Sequence, residues 1–230
     1  MGNDSMANPL RLIVGLGNPG RGYAATRHNV GAWFVERLAE KLGLAFRPEK
    51  RFRSLLARMA TSDGGELRLA LPQTYMNESG FAVAALARFF RIASTEILVA
   101  HDELDLKPGS VKLKLGGGSA GHNGLKDVSA QLGSGDHWRL RIGIGHPRDA
   151  ESVQQEVVDY VLHPPRSEER ALIDDAIARA LAIWPRLAAG EVERAMHELH
   201  TRPVRPEART ASEGEAKPRD AQDEARRRGS

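Results

Sequence analysis

The chain has 230 residues, 41% hydrophobic and 27% charged, with a net charge of +3, the profile of a globular protein large enough to bury a substantial core. It contains no cysteine, which excludes disulfides, thiolate nucleophiles and cysteine-ligated metals. The tail from Thr201 holds eight Lys/Arg against six Asp/Glu, so the body is close to neutral and any electropositive surface has to be local.

Leu10 to Leu16 is a short apolar run ending in glycines and reads as a buried strand. Between Asn29 and Leu42 the apolar residues Val30, Trp33, Phe34, Leu38 and Leu42 recur at helical spacing, with Gly43 as the stop. Leu55–Thr61 and Glu66–Leu71 flank Asp63-Gly64-Gly65, which predicts a hairpin. A helix is expected over Phe81–Ile92 and a buried strand over Ile97–Ala100. Val111–Leu115 alternates strictly, with lysines on one face. A short helix over Gly124–Leu132 and a strand over Trp138–Ile144 follow. Val153–Val161, Ser167–Ala189 with a kink at Pro185, and Glu191–His200 have helical patterns. Strands mixed with helices, plus a hairpin, predict an α/β fold, a single domain over residues 10–200 with a mixed, twisted central sheet. Residues 1–9 read as a polar, disordered leader with no signal-peptide character, and 201–230 as a disordered tail too poor in apolar residues to offset its ordering entropy. No apolar run reaches membrane-spanning length, so no membrane partner and a cytoplasmic location are expected.

The densest chemistry lies between His101 and Asp127, HDELDLKPGSVKLKLGGGSAGHNGLKD, which combines acids, two histidines, an asparagine, a glycine cluster and two alternating lysines. Three readings of local motifs compete there and nearby. Gly15-Leu16-Gly17-Asn18-Pro19-Gly20 is a literal G-x-G-x-x-G, but Pro19, Gly20 and Gly22 delay the helix that a dinucleotide site needs, and Glu36 falls inside a helix. Gly117-Gly118-Ser119-Ala120-Gly121 is a literal G-x-S-x-G between a strand and a helix, keeping a serine esterase with Ser119 as nucleophile in play. His101, Asp102, Glu103, Asp105 and His122 supply metal-ligand chemistry, though without the spacing of a defined site.

A fourth reading joins residues from several elements. Asn18 follows the first strand, His28 opens its helix, Asn77 precedes a helix, Asp102 ends a strand and Asn123 follows the lysine strand. Were these strands parallel, all five would share the rim where α/β proteins bind ligands. Taken singly, Asn77 and Asn123 could be N-caps and Asn18 a turn former. A histidine base activating water, oriented by a carboxylate, with neutral amides gripping a neutral substrate, is the economical chemistry for such a set. Lys112 and Lys114, with Arg139 and Arg141 on the next strand, would form a phosphate-binding stripe. A purely RNA-binding module is the non-enzymatic alternative.

GLGNPG, TRHNVG, TYMNESG, HDELDL and GGGSAGHNGL occur in this order, and over about Leu10 to His200 the chain resembles the bacterial-type peptidyl-tRNA hydrolase family. The resemblance implies a single-domain monomer needing no metal or other cofactor. It implies hydrolysis of the ester between an N-blocked peptide and the 3′ ribose of tRNA, recycling tRNA dropped by ribosomes. By the same resemblance His28 is the catalytic base, Asp102 its stabilising aspartate, and Asn18 the residue distinguishing N-blocked from free aminoacyl groups. Tyr23, Tyr75, Asn77 and Asn123 are expected to line the substrate site, with His122 a secondary partner there. Lys114 and Arg141, joined by Lys112 on the same stripe, are expected to hold the terminal phosphates of the tRNA acceptor stem and 3′ end. Arg148 stands near a position where some members carry lysine.

Overall fold

The structure, a computed structural model, describes residues 9–62, 64–149 and 156–201. The expected leader and most of the expected tail therefore lie outside the described residues, as do residues 153–155 of one predicted helix. Seven strands form one mixed sheet: β1 (Leu12–Gly15), β2 (Arg47–Glu49), β3 (Ser54–Ala60), β4 (Glu66–Pro72), β5 (Ile97–Glu103), β6 (Val111–Leu115) and β7 (Trp138–Gly143), ordered β2-β3-β4-β1-β5-β7-β6. The central strands β4, β1, β5 and β7 are mutually parallel, while β3 and β6 run antiparallel to their neighbours. Among the described residues seven α-helices complete the fold: α1 (Val30–Lys41), α2 (Ser79–Phe90), α3 (Asn123–Leu132), α4 (Val157–Val161), α5 (Ser167–Ala182), α6 (Trp184–Ala188) and α7 (Val192–Thr201).

The period of two along the strands divides the core between two faces. Ile13, Leu69, Leu98, Leu140 and Ile142 pack against α1 and the α5–α7 helices through Phe34, Leu38, Ile177, Trp184 and Leu199. Leu12, Val14, Ala70, Ile97 and Val99 point to the other face, under Val83 and Leu86 of α2 and Leu125 and Val128 of α3. That helix pair covers only the middle of its face. Among the described residues no helix is long and apolar enough to cross a membrane.

The predicted elements are present with three instructive differences. The strand expected over Ile97–Ala100 runs on to Glu103, because β7 continues to pair with His101, Asp102 and Glu103; tertiary pairing carries polar residues that no apolar pattern could mark. The helical block Ser167–Ala189 divides at Ile183 ahead of Pro185, which occupies the first turn of α6. Most consequentially, the lysine strand β6 is antiparallel, so the idea that all five polar residues follow parallel strands is corrected. β6 ends at the far rim, and the glycine loop from Gly116 to Gly121 leads from its end to α3. β6 is also an edge strand, and the Leu113 backbone N–H donates to Nε2 of His200 in α7 at 3.0 Å.

Candidate active site

Close backbone approach brings the two halves of the site together. Gly31, in the first turn of α1, lies so near the carbonyl oxygen of Ala100 that a Cβ there would overlap it. Only glycine permits this contact, and it sets the 3-10 turn Arg27–Asn29 against the end of β5. His28 Nδ1–H then donates to Asp102 Oδ1 at 2.9 Å. His122, the N-cap of α3, donates Nε2–H to the same oxygen at 2.9 Å. Its Nδ1 accepts the Leu125 N–H at 3.3 Å, which fixes the tautomer of the neutral ring. One carboxylate oxygen thus serves two imidazoles, and His28 Nε2 is left for the cleft.

The electrostatics follow from burial and pairing. Burial acts to depress the His28 pKa, but the charge and hydrogen bond of Asp102 outweigh it, and the imidazole is raised above its ordinary 6.5. Burial likewise acts to raise Asp102, yet the two histidines hold its carboxyl well below the ordinary 3.8. His101, fully buried beside them, is pushed down to about 3 by desolvation and by His122. It stays neutral, donating Nδ1–H to the Asp102 carbonyl at 2.6 Å. The sequence does not single out this third histidine from its neighbours; the structure seats it behind the site rather than in it.

Asn18 is held by three hydrogen bonds. Its backbone N–H donates to Asn29 Oδ1 at 2.9 Å, Asn29 Nδ2 returns a bond to the Asn18 carbonyl at 2.9 Å, and Met76 N–H donates to Asn18 Oδ1 at 2.8 Å. With the oxygen occupied, the Nδ2 group is the free donor. Asn29 is a residue the sequence reading missed, although it is adjacent to His28. Asn77 and Asn123 cap no helix: the residue before α2 is Glu78, and His122 caps α3, so the capping alternative is set aside. Asn77 lies in the 3-10 turn Met76–Glu78 that leads into α2, and Asn123 opens α3; the two helices are locked together where Gly80 N–H donates to Asp127 Oδ2 at 2.7 Å.

These residues line one cleft of about 570 Å³, with Asn18, His28, Tyr75, Asn77, Asp102, His122 and Asn123 all on its wall. Tyr23 is not on that wall; it contacts Tyr75 edge-on at 6.4 Å between centroids. The opposite wall is apolar, made by Leu104 and by Val157, Val158, Val161 and Leu162 in and after α4. Arg27 secures it, since its Nη1 donates to the Tyr160 and His163 carbonyls at 3.2 Å each and its Nη2 pairs with Glu169 at 2.7 Å.

Lys112, Lys114 and Arg141 lie outside this cleft, on the sheet face beyond α3. Lys112 sits directly across from Arg141 and Lys114 across from Arg139, so the expected stripe exists as two cross-strand rows. Glu103 moderates it by accepting from Arg141 Nε at 2.7 Å. Arg139 is buried and donates to the Gly118 carbonyl at 2.7 Å, tying down the glycine loop. Lys114, Arg139, Arg141, His101 and Glu103 line a second hollow of about 320 Å³ beside the cleft. Arg148 pairs at the surface with Asp105 at 3.2 Å.

The competing motifs fare differently. The helix after Gly20 opens only at Val30, too late for a dinucleotide phosphate to meet its N-terminus. Ser119 lines the cleft, but its hydroxyl makes no hydrogen bond to a histidine ring among the described residues; only its carbonyl is engaged, accepting the His122 backbone N–H at 2.8 Å, and the non-glycine residue in the left-handed region of its loop is Ala120 at φ 46°. A nucleophile elbow needs the base within hydrogen-bond distance. His28, Asp102 and His122 offer ligand atoms within 4.8 Å of one another. A metal on His122 Nε2, however, would displace the proton that the Nδ1 contact with Leu125 requires. The donor set is arranged for hydrogen bonds.

A family model described as peptidyl-tRNA hydrolase matches residues 12–207. The chain belongs to the peptidyl-tRNA hydrolase family. It is 57% identical over 198 residues, 86% of this chain and 88% of the relative, to the peptidyl-tRNA hydrolase of Azoarcus sp. (strain BH72). Among solved structures, a peptidyl-tRNA hydrolase from Acinetobacter baumannii is 45% identical, with a TM-score of 0.78 over 84% of this chain and 95% of that one. A peptidyl-tRNA hydrolase in complex with N-propanol is 44% identical, with a TM-score of 0.78 over 87% and 98%.

Proposed function

We propose that this member of the family hydrolyses the ester joining a peptide to the 3′ ribose of tRNA by direct attack of a water, with His28 as the base. The observation that carries the reading is the His28 Nδ1–Asp102 contact of 2.9 Å, which commits one ring nitrogen to the carboxylate and leaves Nε2 to accept a proton. As water attacks the ester carbonyl, its proton passes to Nε2, and the buried carboxylate stabilises the imidazolium. Collapse of the tetrahedral intermediate breaks the acyl–oxygen bond, and the same imidazolium returns the proton to the departing ribose oxygen. The products are a free peptide carboxylate and a tRNA with its 3′ hydroxyl restored.

Specificity has a desolvation argument. An N-blocked peptidyl group presents a neutral amide where aminoacyl-tRNA presents an ammonium. Asn18, Asn77 and Asn123 offer neutral amides to that group, the wall of Leu104, Val157, Val158, Val161 and Leu162 is apolar, and the cleft's two carboxylates are already engaged, Asp102 by His28 and His122 and Glu103 by Arg141. Burying a cation there without a partner is costly. Tyr75 and the neighbouring Tyr23 give the substrate an aromatic rim. His122 holds Asp102 through the same carboxylate oxygen that receives His28. Lys112, Lys114 and Arg141 hold backbone phosphates near the tRNA 3′ end, which adds affinity without reading bases. The chain works as a monomer, recycling tRNA released from stalled ribosomes.

The test is turnover of N-acetyl-aminoacyl-tRNA against the unblocked ester, with His28→Ala as the control. A preference for the blocked ester and a loss of about 10²–10⁴-fold in the variant are expected for a general base. Equal hydrolysis of both esters, or an unimpaired variant, overturns the reading.

A further inference from the structure

A second basic region lies on the same sheet face, on the far side of α2 from the cleft. The register pairs Arg58 directly with Arg68 across β3 and β4, an arrangement of like charges that disfavours strand pairing. One carboxylate, Glu66, is shared between them: it contacts Arg68 closely and lies 3.6 Å from Arg58. Arg11 adds further positive charge beside Arg68, and burial together with these neighbours lowers the guanidinium's pKa. The Arg68 side chain is only 8% exposed whereas that of Arg58 is 79% exposed. Positive charge is therefore concentrated here beyond what the local acids offset, in a body that is nearly neutral overall.

The floor of this region is aromatic. Arg68 lies 3.8 Å from the Phe90 ring centroid and Arg51 lies 3.9 Å from that of Phe89. Phe89 remains 49% exposed although the rings of Phe52 and Phe90 lie 5.4 and 4.8 Å from it between centroids. Together these side chains line a hollow of about 720 Å³ that shares no residue with the catalytic cleft. It also lies toward the opposite ends of the parallel strands, because Arg68 is in register with Leu12 at the start of β1.

Arginine forks match phosphate oxygens, and a half-exposed aromatic ring beside them, with an arginine already stacked on it, matches a base. We propose that the Arg51–Arg58–Arg68 hollow on Phe89 and Phe90 is a second ligand site, taking a phosphorylated nucleoside with its phosphate on the arginines and its base on Phe89. The shared chemistry is the nucleotide unit, supplied free or within a single RNA strand. An anion bound there relieves the Arg58–Arg68 opposition. The structural features that carry this site are independent of the His28 chemistry.

The experiment is a titration of the whole chain with AMP, with a short single-stranded oligoadenylate and with inorganic phosphate. It is followed by backbone amide shifts of Arg58, Arg68, Phe89 and Phe90, so that binding in the catalytic cleft is read separately. Saturable shifts with AMP or the oligonucleotide are expected, with phosphate weaker. The Arg51→Ala/Arg58→Ala double variant, which removes two exposed charges, should weaken nucleotide binding about 10-fold or more. Phe89→Ala should weaken AMP but leave phosphate unchanged. Turnover of N-acetyl-aminoacyl-tRNA at saturation should be unaltered in all of them. Tighter binding of the oligonucleotide assigns the site to an RNA strand, and equal binding assigns it to one nucleotide. No saturable shift with any probe, binding undiminished in both variants, or phosphate as tight as AMP overturns the proposal.

Discussion

The cleft and the Arg58–Arg68 hollow solve opposite electrostatic problems. In the cleft a single buried carboxylate is over-supplied with donors: Asp102 Oδ1 receives both His28 and His122. Beside the hollow, whose own lining holds Glu49 among four arginines, one carboxylate is over-demanded, since Glu66 faces both Arg58 and Arg68. The first arrangement is satisfied and rigid before any ligand arrives, which suits the positioning of a proton acceptor. The second is left with unmatched charge at the surface, which suits attraction and poorly suits chemistry. Compensation separates the proposed reacting site from the proposed binding one more clearly than charge or burial alone.

The comparison breaks first at Asp102. Asp102→Asn keeps the shape but removes the charge, and kcat should fall by about 10²–10⁴-fold. In the unaltered chain His28 has to lose its proton to act, and its pKa is raised. The profile of kcat/KM should therefore rise with pH through a midpoint above 6.5. In Asp102→Asn the opposing effect of burial is unmatched, so the midpoint should move downward. A midpoint unchanged between the two proteins would show that Asp102 does not set the base. The linkage to stability has the opposite sign. Pairing with Asp102 stabilises the fold fully below the unfolded histidine value of about 6.5 and the benefit is lost as pH rises through the folded value.

A smaller effect tests the rigidity of the cleft. Gly31→Ala places a Cβ into the Ala100 carbonyl and should cost about 1–3 kcal/mol, measured by denaturant unfolding. The loop variant Gly118→Ala, with open space around its Cβ, should be close to neutral. Equal stability of the two would sink the close-approach account of how His28 meets Asp102. The smallest effect belongs to the β6–β7 stripe. Lys114→Ala should weaken tRNA binding and reduce the slope of log affinity against log salt by about 1, with kcat little changed.

Much of this was legible in the sequence, and for different reasons in different places. The period of two in VKLKL places Lys112 and Lys114 on one face of β6, and five ordered islands carry the resemblance that nominates His28, Asp102, Asn18, Asn77 and Asn123. The direction of β6 was not legible, because strand alternation is the same whichever way the neighbour runs. The strand β2, only three exposed residues long, carries no apolar signal. Asn29 was passed over because its role is reciprocal: it exists only once residue 18, eleven positions earlier, is folded back onto it. The Arg58–Arg68 opposition depends on hairpin register, so neither arginine stands out among the chain's many others.

His200 has a consequence beyond docking α7. It accepts the Leu113 amide through a ring nitrogen, and burial and the nearby Lys112 lower its pKa, which favours the neutral acceptor form. β6 is the outermost strand on its side, and an outermost strand with a bare amide is a template on which another chain can add. The imidazole occupies that amide from within the same molecule, while Lys112 and Lys114 on either side of it repel an incoming strand. The stripe proposed to draw in a polyanion is in this way also a margin ill suited to strand addition by another copy of the protein.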